Sequence, residues 1–208
     1  MNDPASAAPG EPITHLLYLH GFRSSPQSTK ARKFAAWVAE HRPETVWYCP
    51  QLAASPALAM SDVETAIAAW PKARMAVIGS SLGGYYATVV AERHGCRAVV
   101  LNPAVDPARD LAATVGETTA WHSDEPFVFR PRYIAELRVM TPGPLTDKGR
   151  YFAVIAKGDE VLSWREMSGR YAGCAIRLLE GSDHALGDFD EQMPEVLAFL
   201  GLSTTPVS

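Results

Sequence analysis

Val77-Ile78-Gly79-Ser80-Ser81-Leu82-Gly83-Gly84 is the stretch on which the reading of this chain turns. It contains Gly-x-Ser-x-Gly between an apolar run at 75–78 (MAVI) and a segment of helical character. A nucleophile on a sharp strand-to-helix turn sits in strained backbone, and strand and helix approach so closely that only small residues fit two positions either side. Gly79 and Gly83 satisfy that demand around Ser81, whereas Ile78 and Leu82 would flank Ser80. Ser81 is therefore the candidate nucleophile, and Ser80 is packing or support.

Around this turn, short apolar runs alternate with helical patterns. His15–Leu19, 45–49 (TVWYC), 75–78, 98–101 (AVVL), Tyr151–Ala156 and Ala175–Leu179 read as strands. A helix is expected from Pro26 with Ser25 as its cap. Others follow at Met60, Val63 and Ile67, after Ser81 with Gly95 ending it, and at Phe189 through Leu200. Ser163 and Glu166 form a capping-box pattern. Strands alternating with helices predict one domain (core about 14–202) with a mostly parallel six-stranded sheet covered on both faces. The stretch 104–150 interrupts the rhythm with Pro107, Pro126, Pro131, Pro142 and Pro144. It is expected to hold short helices after Asp106 and near Tyr133, and to act as a lid-like insert.

A serine hydroxyl needs an adjacent base. Of the six histidines, His15 lies in a strand, His41 and His94 at helix ends, and His122 in the insert. His20 and His184 lie at strand ends, where sites form on such sheets. His184 follows the last strand and fits the Ser–acid–His chain order of serine hydrolases; His20 precedes the serine and breaks it. His20-Gly21-Phe22 instead suits an oxyanion hole, with the Phe22 and Leu82 amides as donors and His20 bracing the loop. The acid must orient His184. Asp159, directly after the strand Tyr151–Ala156, is preferred over Glu160, Asp183 and Asp188, the last of which reads as a helix cap.

Composition narrows the classes. With 47% hydrophobic and 20% charged residues, the 208-residue chain has ordinary globular make-up. A net charge of −4 without charge blocks is a poor match for a phosphate backbone, although Arg130, Arg132 and Arg138 fall close together. Cys49, Cys96 and Cys174 show no metal-ligand spacing and read as reduced thiols of a cytoplasmic protein. Residues 1–12 lack a signal-peptide pattern, and 75–91 is too short and too polar in its middle to span a membrane. Both tails (1–12 and 203–208) are expected to be flexible. No metal or organic cofactor is called for, and the expected partner is a small-molecule ester or thioester, not nucleic acid or a membrane.

The segments 18–26 (YLHGFRSSP), 79–86 (GSSLGGYY), 101–105 (LNPAV), 158–162 (GDEVL) and 181–186 (GSDHAL) resemble the YqiA/YcfP family of small bacterial esterases. The likeness runs from about 17 to 202, with the motifs in the family's order. It implies an α/β-hydrolase fold and esterase activity on short or activated acyl esters, and suggests thioesters such as acyl-CoA. It also implies a triad falling on Ser81, Asp159 and His184. The insert and the segment after His184, with Gly187-Asp188, are the least similar parts. A hydrolase-like binding protein without activity is the alternative of another class; an intact nucleophile, base and acid argue against it.

Overall fold

The computed structural model describes residues 12–119 and 126–202. The expected tails, Pro12 excepted, and His122 fall outside them.

Strands β1 (His15–Leu19), β2 (Val46–Tyr48), β3 (Met75–Ser80), β4 (Arg97–Leu101), β7 (Tyr151–Ala156) and β8 (Ala175–Leu179) form one sheet in the order β2-β1-β3-β4-β7-β8. Every neighbouring pair in it is parallel. Successive side chains of a strand face opposite ways. Leu17 and Leu19 accordingly join a core with Val77, Val100 and Ile155, while Leu16 and Tyr18 join one with Ile78, Val99 and Val154. The first core is closed by α2 (Pro56–Ile67), α3 (Leu82–His94) and α6 (Trp164–Arg170). The second is closed by α1 (Thr29–His41) and α7 (Phe189–Leu200). Burial on both faces is why β3 and β7 read as unbroken apolar runs and not as alternating ones.

The insert departs from the sheet's rhythm. Asp106 accepts the Arg109 N–H and caps α4 (Pro107–Asp110), and α5 spans Pro131–Val139. Between them β5 (Gly116–Thr119) and β6 (Pro126–Phe129) pair antiparallel, a hairpin that the proline-based reading did not anticipate.

Three local expectations are corrected. The first helix begins at Thr29, not Pro26. Ser25 Oγ accepts the Gln27 N–H, and the Ser28 N–H bonds to Ser25 O, so Pro26 sits in a turn. Asp188 makes no capping bond to α7; its carboxylate accepts the Ser182 hydroxyl. Ser163 does cap α6 by accepting the Glu166 N–H, but the Glu166 carboxylate pairs with Arg109 instead of closing a box. Among the described residues no helix is long and apolar enough to cross a membrane, and no His/Cys/Asp/Glu group is placed to hold a metal.

Candidate active site

β3 ends on Ser80, and the chain turns at once into α3 through Ser81, whose φ of 57° and ψ of −121° are rare for a residue with a side chain. Backbone bonds hold that conformation. The Ser81 N–H donates to Leu101 O at 3.0 Å, and its carbonyl accepts from Gly84 at 2.9 Å and Ala104 at 3.0 Å. The glycine spacing has a direct steric cause. A Cβ on Gly79 would lie 2.0 Å from Gly83 O, and one on Gly83 would lie 1.9 Å from Leu19 O. Ser80 is buried and bonds to the Tyr18 hydroxyl, leaving Ser81 as the half-buried serine that keeps some access at the turn.

His184 stands in the loop after β8. Its Nε2 lies 3.2 Å from Ser81 Oγ, and its Nδ1 lies 2.8 Å from Asp159 Oδ2. The Asp159 side chain is 0% exposed and the His184 side chain 22%. Asp159 is fixed from its other oxygen, because Oδ1 accepts the Val161 N–H at 2.8 Å and the Leu162 N–H at 2.7 Å. A carboxylate only accepts, so the proton of the shared bond belongs to His184 Nδ1. The Nε2 lone pair is then directed at the serine hydroxyl, the arrangement needed to receive its proton.

The loop carrying His184 is irregular, and side chains from three elements hold its backbone. Asn102, buried at the end of β4, donates from Nδ2 to Asp183 O (2.9 Å) and His184 O (3.2 Å), and its Oδ1 accepts the Ala156 N–H at 2.8 Å. Lys30, from α1, donates to Ala185 O at 2.5 Å. Glu160 accepts the His184 N–H at 3.0 Å. Sequence reasoning missed Asn102 and Lys30. A buried-strand run that ends on an amide is a usable signal, since such a group needs partners; Lys30 looks like any lysine of a helix surface.

Burial pushes the Lys30 ammonium down to about 8, against the pull of Asp183 and Asp159. Its folded value lies below the ordinary 10.5, so between pH 8 and 10.5 the unfolded chain holds a proton that the folded one has lost. Burial of the charge therefore costs stability in full below pH 8, and the cost is relieved as pH rises through that window. Urea unfolding at pH 7.5 and pH 9.5 (chosen on either side of about 8) should show the parent gaining stability relative to Lys30→Met. A constant difference would contradict this account of Lys30.

On the other side of Ser81, the loop after β1 comes close. A Cβ on Gly21 would lie 3.2 Å from Ser81 Cβ and 3.7 Å from its Oγ. His20 Nε2 accepts the Leu52 N–H at 3.0 Å, which places the ring proton on Nδ1, facing Gly21 O at 3.0 Å. Burial holds this imidazole below its ordinary pKa, in keeping with a neutral ring tying the loop to the segment after β2. Leu82 is the first residue of α3, so its N–H has no partner within the helix. Among the described residues no hydrogen bond uses the Phe22 or Leu82 N–H. Both residues line one small pocket together with Leu52, Ala54, Tyr86 and Phe127. The Phe22 ring meets Phe127 and Phe129 edge-on at 5.2 and 5.1 Å, which seats the β5–β6 hairpin on this loop.

Comparison with known proteins adds two findings. The model of the family described as UPF0227, an uncharacterised protein family, also called the YqiA/YcfP family, matches residues 15–201. Among solved structures, alpha/beta hydrolase domain-containing protein 10 from mouse is similar at TM-score 0.68 and 14% identity, over 93% of this chain and 92% of that one. Est1E from Butyrivibrio proteoclasticus, solved with ferulic acid, is similar at TM-score 0.65 and 14% identity, over 92% and 89%. The esterase domain of a Rhodothermus marinus protein is similar at TM-score 0.59 and 18% identity, over 92% and 84%. At these identities the likeness shows the fold, which is that of the α/β hydrolases.

Proposed function

The chain belongs to the UPF0227 (YqiA/YcfP) family, and on that premise we propose that it is a serine esterase, hydrolysing short or activated acyl esters through an acyl-enzyme. The observation that carries this reading is the hydrogen-bonded line from Asp159 through His184 to Ser81 Oγ, with two uncommitted N–H groups beside the hydroxyl.

Ser81 Oγ attacks the ester carbonyl carbon while its proton passes to His184 Nε2. The carbonyl oxygen takes up the negative charge and receives the Phe22 and Leu82 N–H groups. Collapse breaks the bond to the alkoxy oxygen, which leaves as an alcohol carrying the proton from Nε2. Water then adds to the acyl-Ser81 carbonyl, giving its proton to Nε2, and Ser81 leaves with that proton as the carboxylic acid is released. Asp159 remains an acceptor throughout and stabilises the transient imidazolium.

The pocket is small and mostly apolar, lined by Phe22, Leu52, Ala54, Leu82, Tyr86 and Phe127 with His20, Arg23 and Ser24 beside them, which suits the acyl side of a short ester. Phe127 reaches it from the insert's hairpin, so the insert serves as a lid that limits acyl length. A p-nitrophenyl ester series from acetate to octanoate tests both points. The parent should turn over the short esters best. Phe127→Ala should raise the octanoate-to-acetate ratio of kcat/KM by roughly tenfold or more, since one methylene in a hydrophobic pocket is worth about 1–3 kcal/mol. An unchanged ratio would remove Phe127 from the acyl site, and the absence of hydrolysis across the series would count against the esterase itself.

A further inference from the structure

A second cavity, larger than the pocket lined by Phe22 and Leu82, opens between α3, the loop after β4, and the C-terminal ends of α5 and α6, with a volume of about 390 Å3. Its connection to the nucleophile is through backbone, because Ala104 lines it and donates its N–H to Ser81 O. The neutral polar groups of its wall are already satisfied. Tyr85 Oη donates to Leu137 O at 2.6 Å, and Thr88 Oγ1 and Tyr171 Oη share a bond of 2.7 Å.

The charged groups are not balanced in this way. Arg170 is held by uncharged acceptors, donating to Gly143 O at 2.7 Å and Pro142 O at 3.3 Å. Among the described residues the Arg138 side chain makes no hydrogen bond or ion pair. Arg109, nearby in sequence on α4, is spent on Asp110 and Glu166. Asp106 is the carboxylate of the cavity lining, and its Oδ1 accepts the Arg109 N–H. Two arginines therefore line one concave space against a single carboxylate, and a cleft with an excess of one sign concentrates ions of the other. The basic trio noted in the sequence does not act as a unit. Arg132 lies against Glu136 and the Tyr133 ring, and Arg138 joins Arg170.

We infer that this cavity is a binding site for a phosphate group of a small molecule, held between Arg138 from α5 and Arg170 from α6. A tetrahedral phosphate offers separate pairs of oxygens to two guanidinium forks arriving from different elements, whereas a planar carboxylate offers one such edge. Asp106 weakens the site and favours ligands whose charge lies on the arginine side.

Isothermal titration of the full chain with pyrophosphate, orthophosphate and acetate, at low and matched ionic strength, tests this without reference to esterase activity. Pyrophosphate or orthophosphate should bind saturably at one site per chain, and acetate should not. The tighter of the two phosphates identifies the ligand as a diphosphate or a monophosphate. Arg138→Gln should weaken binding at least tenfold while leaving the thermal midpoint unchanged, since Arg138 is exposed and its side chain makes no described hydrogen bond or ion pair. Arg170→Gln should weaken it as well, and Asp106→Asn, which keeps a capping side chain, should tighten it. Arg130→Gln, exposed and outside the cavity lining, should leave it unchanged. Absence of saturable binding, equal binding of acetate, or equal loss in Arg130→Gln and Arg138→Gln would overturn the assignment.

Discussion

Ser81→Ala is expected to lower kcat for ester hydrolysis by roughly 10⁵–10⁶-fold, the scale measured when a serine hydrolase loses its nucleophile. That is about 7–8 kcal/mol of barrier. The protein should stay folded, because alanine meets the same positive φ at this position as serine does, and Ser81 Oγ forms no described bond except that to His184. Ser80→Ala should instead keep activity within about tenfold of the parent. Its hydroxyl bonds to Tyr18 in the core, and losing one such bond costs about 1 kcal/mol of stability. Initial rates on a short p-nitrophenyl ester, with thermal midpoints alongside, check the pair. Equal losses in both variants would contradict the assignment of the nucleophile.

Asp159→Asn is expected to lower kcat by roughly 10³–10⁴-fold, as the equivalent change does in a serine protease. The reason lies in the turn around the carboxylate. Oδ1 accepts two backbone N–H groups, from Val161 and Leu162, so an asparagine must place its carbonyl oxygen there and turn its NH₂ toward His184. Nδ1 then becomes an acceptor, the ring proton moves to Nε2, and Nε2 can no longer receive the Ser81 proton. Glu160→Gln should cost far less, because an amide oxygen still accepts the His184 N–H. Asp183→Asn should also be mild: its carboxylate serves Gly187 N–H, and its link to Asn102 is through the backbone carbonyl. An Asp159→Asn enzyme within about tenfold of the parent, some 1.4 kcal/mol of barrier, would remove Asp159 from this role.

The parts legible in the sequence are those set by local sterics or by burial on two faces. Gly79 and Gly83 had to be glycine because strand and helix backbones touch there, and that constraint leaves a pattern in the chain. β7 and the 75–78 stretch of β3 are apolar because helices cover both sides of the sheet. What was hidden depends on tertiary neighbours. Ser25-Pro26 carries the grammar of a helix start, yet the Ser25 hydroxyl finds its partner two residues on, and the helix waits until Thr29. Asp188 stands where a cap belongs but turns to Ser182. The hairpin's β6 owes its place to Phe127 and Phe129 packing on Phe22, a contact between segments more than a hundred residues apart in the chain. Asn102 and Lys30 support the His184 loop from strand and helix ends that carry no motif for the task.

The most direct test of the account is covalent labelling with a fluorophosphonate, read by intact mass and then by peptide mapping. Attack of Ser81 Oγ on phosphorus with loss of fluoride requires both the nucleophile and its base, and does not depend on knowing the physiological ester. The account predicts one adduct per chain, located on Ser81, absent from Ser81→Ala and much slowed in Asp159→Asn. No adduct on the folded parent protein, or an adduct that persists unchanged in Ser81→Ala, would contradict it.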